Sequence, residues 1–248
     1  MSRRDYLKAE IVKVCQKMDQ KGFVANHDGN VTVKFDGTLL ATPTSESKAA
    51  ICDELVITLD MKGKKLSGIG KPFSELQVHL AAYNSRPDAR AVIHAHSPFA
   101  TARGLVGKEL RPNLPEAIVS IGEVIPVTSF CMPGAPETEE LVTNALSISD
   151  VFMMPGNGIF SIGDDLEQAW LRLELVEHLC KIESYAAQMG ENLVLPSDQK
   201  QLLLVKRAKV GLGPQNRNIS SSANSESGKN LEDLIASEIT KSLIGDNP

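Results

Sequence analysis

Two of the chain's five histidines, His94 and His96, stand two residues apart in the strand-like run ARAVIHAH. In an extended strand, residues i and i+2 project from the same face. Two imidazoles held that way can grip one divalent ion at about 2.0–2.1 Å each. The competing reading is one buried and one surface histidine with no shared task. Glu75 lies upstream in KPFSELQVH, four residues before His79. That spacing alone says little, because i, i+4 pairs are ordinary neighbours on helix surfaces. Ser74 and the amides beside it, at a helix start, can receive an anion. The turn at Gly29 and Asn30 and the pair Thr44 and Ser45 can do the same through backbone N–H groups and hydroxyls. Each of these is a weak signal alone.

The elements that must carry these residues can be read from periodicity. Leu7, Ile11, Val14, Cys15 and Met18 recur at helical spacing and predict an opening amphipathic helix over residues 2–20. NHDGNVTVKFDGTLLATP reads as two short strands joined at Asp36 and Gly37, a hairpin signal. ELVITLDMKGKKLSG reads as a strand, a turn at Lys62 and Gly63, and a short return. Pro72 and Ser74 open a helix that runs through Tyr83, before the breaker at Arg86 and Pro87. ARAVIHAH and EVIPVTSF each predict a strand, and VFMMPGNGIFSI predicts two strand pieces interrupted at Pro155 and Gly156. Asp164 with Glu167 forms a capping-box pattern ahead of a helix reaching about Gln188. Irregular alternation of strands and helices predicts a layered α/β or α+β domain over residues 1–209.

Composition narrows the function classes. A formal net charge of -5 argues against a general nucleic-acid binder. Lys206, Arg207 and Lys209 form the one dense basic run, which reads as a solvated helix end. No segment approaches the roughly 18 apolar residues of a membrane span, and the charged start lacks a signal-peptide core. Cys15, Cys52, Cys131 and Cys180 are scattered, which suits reduced thiols in the cytoplasm.

The order of the pieces carries a family resemblance. DGNVTVKFDGTLLATPTS, then GKPFSELQVHLAAYNSRPDARAVIHAHSPFAT, then PGNGIFSIGDDLEQAW resembles the class II aldolase/adducin family over roughly residues 5–190. The resemblance implies a three-layer α/β/α domain around a mainly antiparallel sheet, and its nearest enzymes are the L-fuculose-phosphate aldolase type. It implies a divalent metal, zinc first, on His94 and His96, with Glu75 as acid/base. It also implies a sugar phosphate bound by Gly29, Asn30, Thr44, Ser45 and Ser74, and a C4-symmetric homotetramer. The implied reaction cleaves a ketose 1-phosphate to dihydroxyacetone phosphate and a small aldehyde. An epimerase or dehydratase of the same superfamily and a non-catalytic adducin-like binding protein are the alternatives.

The sequence departs from the family pattern in four places. Gly156, Asn157 and Gly158 replace the N-H-G motif that brings a third metal histidine. Asn157 binding through its amide oxygen, His178 from the following helix, water, or loss of the metal are the four accounts. Phe73 replaces the first serine of a P-S-S-E segment, and Ser45 stands where glycine is usual. The segment RPNLPEAIVSIG offers no tyrosine to match the family's proton donor.

From Gly211 to Lys229, twelve of nineteen residues are Gly, Pro, Asn or Ser, so residues 210–229 read as a linker. In residues 230–248, Leu231, Leu234, Ile235, Ile239 and Leu243 fall on one helical face. Such a tethered helix resembles the peptides that direct enzymes into bacterial microcompartments by docking on shell proteins. The alternative is docking on the enzyme itself.

Overall fold

Asp36 and Gly37 both carry left-handed φ, 48° and 69°, as a type I′ hairpin turn requires. The chain reverses there between β1 (Asn30–Phe35) and β2 (Thr38–Ala41), as the sequence predicted. A second reversal, with Gly63 at φ 84°, joins β3 (Ile57–Asp60) to β4 (Lys65–Ser67). The computed structural model describes residues 1–132, 134–190 and 194–214. Tail residues 215–248 lie outside them, as do the amphipathic helix and most of the predicted linker.

With β5 (Ala91–Ala95), β6 (Val151–Met153) and β7 (Ile159–Gly163), the strands form a seven-stranded sheet in the order β4-β3-β2-β1-β5-β7-β6. Every neighbouring pair is antiparallel. Alternation within the strands sends side chains to two cores. On one face Val31, Val33, Ile93 and Ile159 pack with Ile11, Val14 and Met18 of α1 (Arg3–Gln20) and Trp170 and Leu173 of α6 (Leu166–Met189). On the other face Leu39, Val92, Phe152 and Phe160 pack with Leu80 and Tyr83 of α2 (Leu76–Ser85) and Val142 of α5 (Thr138–Ile148). The result is the three-layer α/β/α arrangement.

Short α3 (Pro98–Leu105) and α4 (Pro115–Ile121) follow β5, and α7 (Ser197–Lys209) ends the described chain. Among the described residues no helix is long and apolar enough to cross a membrane.

Four local predictions need correction. EVIPVTSF forms no strand: single bridges pair Leu110 with Ile125 and Val127 with Met153, on either side of Pro126. Proline has no N–H to continue a ladder. The helix after Asp164 is capped one residue later, with Asp165 accepting from the Gln168 amide at 2.7 Å. Gln168 in turn accepts from the Asp164 amide at 2.9 Å. The α2 helix begins after Ser74, with Glu75 at its N-cap position. Arg207, in the run read as a solvated helix end, is buried; it donates to the carbonyls of Val119 and Ser120 and so clamps α7 onto α4.

Candidate active site

The antiparallel register puts Asn30 of β1 directly opposite His94 of β5, and His94 opposite Phe160 of β7. Directly opposed side chains share a face, here the face covered by α2. His94 is 1% exposed and stacks on Phe160 at 4.1 Å, which stacks in turn on Phe152 at 5.2 Å. Its Nδ1 lies 3.1 Å from the Ile159 carbonyl oxygen, an acceptor, so Nδ1 carries the proton. The lone pair is therefore on Nε2. Burial and the neighbouring His96 ring hold the His94 pKa well below the usual histidine range, so the ring is neutral. A neutral imidazole oriented by a carbonyl on its far nitrogen is a metal-ligand arrangement.

His96 lies just past the end of β5, half-buried, its ring centroid 4.9 Å from that of His94. Its backbone is fixed on three sides. The His96 amide donates to the Phe23 carbonyl at 3.0 Å. Gly158, at φ 68°, leaves no room for a Cβ, which would meet the Ala95 carbonyl and the His96 ring. Three and four residues on, the Phe99 and Ala100 amides donate to the carboxylate of Glu177 at 3.0 and 2.8 Å, at the start of α3. A carboxylate is favoured at that positive helix end.

Glu75 occupies the N-cap of α2 but makes no capping hydrogen bond. Its Oε2 instead accepts from Asn30 Nδ2 at 3.3 Å. Asn30 is 3% exposed, and its Oδ1 is buried with no hydrogen-bond partner. Asn30 thus stands between the carboxylate and the histidine strand, and its unmatched acceptor is ready for a donor from a bound molecule.

Of the five residues read as a phosphate site, Asn30 begins β1 and the other four fall on three loops. Gly29, at φ 75°, packs against the His94 carbonyl so closely that a Cβ there would lie 2.9 Å from it. The Thr44 amide donates to the Lys71 carbonyl at 2.9 Å, joining that loop to the segment leading to the exposed Ser74. Ser45 has φ 64°, the left-handed conformation that glycine adopts most readily. That backbone accounts for glycine being usual at this position.

Asn157 is half-buried at the turn between β6 and β7, one residue from the Gly158 that abuts His96. Its Nδ2 donates to Met154 Sδ at 3.7 Å, and its amide oxygen makes no hydrogen bond among the described residues. Among those residues no three His, Cys, Asp or Glu side chains are grouped to hold a metal. His178 therefore does not join the pair; it lines another cavity, with Lys21, Phe99 and Lys181. The candidate donors for a divalent ion are the two imidazoles and the free oxygen of Asn157, a set that fits an ion completed by water or substrate oxygen.

Comparisons with known proteins show the family. The profile described as "Class II Aldolase and Adducin N-terminal domain" matches residues 9–184. The chain belongs to the class II aldolase and adducin family. It is 31% identical over 173 residues to an L-fuculose phosphate aldolase of Methanococcus vannielii, covering 70% of this chain and 93% of the relative. It is 29% identical over 188 residues to a 3-oxo-tetronate 4-phosphate decarboxylase of Pectobacterium atrosepticum, covering 73% and 85%. Among solved structures it is similar to an L-fuculose 1-phosphate aldolase at TM-score 0.74 and 26% identity, covering 83% of this chain and 97% of that one.

Two features of the site escaped the sequence reading. Asn30, read as a phosphate ligand, donates to the carboxylate of Glu75. Lys48, in the polar stretch SESKAA, is 2% exposed. Nothing in its local sequence signals burial, which comes from contact between distant loops.

Proposed function

We propose that the chain is a metal-dependent carbon–carbon lyase acting on a ketose 1-phosphate such as L-fuculose 1-phosphate. The products are dihydroxyacetone phosphate and a small aldehyde. The observation that supports the reading is the register of Asn30 against His94 together with the Asn30–Glu75 hydrogen bond, which ties the carboxylate to the strand next to the histidine strand. The names of the aldolase relatives support it.

In this reading His94, His96 and the amide oxygen of Asn157 hold the divalent ion, zinc first. When bound, it supplies Lewis-acid polarisation of the substrate carbonyl. The loops at Gly29, Thr44, Ser45 and Ser74 hold the phosphate through N–H and hydroxyl donors and so fix the sugar's reach into the site. Breaking the C3–C4 bond leaves its electron pair on C3, beside the carbonyl carbon, while the C4 hydroxyl gives up its proton and becomes the aldehyde. Glu75 delivers the proton that C3 needs. Asn30 holds the carboxylate in place, and its free oxygen accepts from a substrate hydroxyl. In the homotetramer that the resemblance implies, a neighbouring subunit can supply the base for the C4 hydroxyl.

Decarboxylation of a keto-acid phosphate is a second reading, favoured by the name of the Pectobacterium relative. It too leaves an electron pair on the carbon beside a carbonyl, so it asks the same of Glu75. Incubating the metal-loaded protein with a panel of ketose phosphates, with dihydroxyacetone phosphate detected by coupled NADH oxidation, tests the first reading. A parallel assay for carbon dioxide from 3-oxo-tetronate 4-phosphate tests the second. Carbon dioxide from the keto acid, with no dihydroxyacetone phosphate released from any ketose phosphate of the panel, would move the assignment to the decarboxylase. Silence in both would leave an epimerase or dehydratase of the superfamily or a non-catalytic, adducin-like binding protein.

A further inference from the structure

Lys48 begins a short helical turn (Lys48–Ala50) directly after the loop that holds Thr44 and Ser45. Its ammonium is enclosed, and Nζ donates to the Glu46 carbonyl at 2.7 Å and to the His27 carbonyl at 3.4 Å. Glu46 follows Ser45, and His27 precedes Gly29 by two residues. One side chain therefore ties together two of the three loops assigned to the phosphate. Both tied loops hold left-handed backbone, at Gly29 (φ 75°) and at Ser45 (φ 64°), and in a residue with a side chain such as Ser45 that conformation is uncommon. Among the described residues Lys48 has no ion-pair partner within salt-bridge distance, so its two partners are neutral carbonyls.

An ammonium taken out of water without a paired anion is unfavourable. Burial accordingly pulls the Lys48 pKa down, against the opposing influence of Cys15, Asp28, Glu46 and Glu75. Its charge also reaches His94. A cation kept at this cost, beside loops rich in N–H and hydroxyl donors, is suited to an anion that arrives with the ligand.

We propose that Lys48 is a positioning residue of the phosphate cradle, clipping the Gly29 turn to the Thr44 and Ser45 loop and supplying the positive charge that a sugar phosphate dianion meets there. The proposal rests on the sugar-phosphate reading above.

The test compares the full-length wild type with Lys48→Met and Lys48→Gln, using inorganic phosphate as the calorimetric probe. Phosphate affinity should fall about tenfold or more in both variants. KM for the ketose phosphate should rise by a similar factor while kcat stays within about threefold. Amide exchange at Gly29, Asn30 and Ser45 should quicken, a change that loss of charge alone would not produce. Phosphate affinity unchanged in folded variants, with normal wild-type binding, would overturn the Lys48 assignment alone. A wild type that binds no phosphate would overturn the sugar-phosphate reading and this proposal with it. Failure of both variants to fold would also overturn it, because Lys48 would then be a folding element.

Discussion

The side-chain amide of Asn30 donates to the Glu75 carboxylate across 3.3 Å, linking the first strand to the cap of the second helix. If this bond aims the carboxylate, Asn30→Ala should lower kcat about tenfold, and Glu75→Gln should lower it about a thousandfold or more. Residues that act as one unit are non-additive. The double variant should thus be no slower than Glu75→Gln by more than about threefold. Steady-state kinetics on all three decides the point, and fully multiplicative losses would show that the two residues work separately.

Gly158 lets the turn after β6 lie against His96. Gly158→Ala would drive a Cβ onto the Ala95 carbonyl and the His96 ring. Bound metal, measured by elemental analysis after dialysis against a limiting chelator, should fall as steeply as in His94→Ala. Full metal content in either variant would remove the two-imidazole site.

His79 is wholly buried, with Nδ1 2.8 Å from Thr32 Oγ1 and Nε2 unpartnered. Burial lowers its pKa from 6.5 to about 3. The sign follows: the folded state favours the neutral ring, so the unfolded chain binds the proton first. The resulting stability is complete above pH 6.5 and is lost as pH falls from 6.5 toward 3. Each such histidine contributes a slope of at most about 1.4 kcal/mol per pH unit. Urea denaturation at pH 7, 6 and 5 should show this fall, and His79→Asn should flatten it. An unchanged slope in the variant would mean that another group titrates.

Asp150, fully enclosed, pairs with Arg86 and Arg172 at 2.8 Å and with Arg207 at 3.6 Å. Removing the anion that three guanidiniums share should destabilise the fold by about 3–5 kcal/mol in Asp150→Asn. Because Arg207 belongs to α7, Arg207→Met should in addition expose that helix to limited proteolysis while the sheet stays resistant. Equal protease resistance would show that α7 is held by its other contacts.

Much of this fold was legible in the sequence. The hairpin at Asp36 and Gly37 combined a strand pattern with turn chemistry, and both are local properties. His94 and His96 could be paired because a strand's period of two is geometric. EVIPVTSF misled because its β-branched residues suggest a strand, whereas Pro126 limits the pairing to single bridges. Arg207 misled for a different reason, and Lys48 drew no reading at all for the same one. A cation in a polar run looks solvated, and its burial is decided by loops and helices far away in the chain. The Asn30–Glu75 bond was equally hidden, because it depends on where β1 meets the start of α2.

The ring stack of Phe152, Phe160 and His94 fixes one imidazole before anything binds. A donor that is already immobile gives up little rotational freedom on coordination. Rigidity can therefore offset a scarcity of ligands, and under the proposed metal reading it would compensate in part for the absent third histidine. Trimming Phe160 should loosen the ion's residence before it disturbs the shape of the protein.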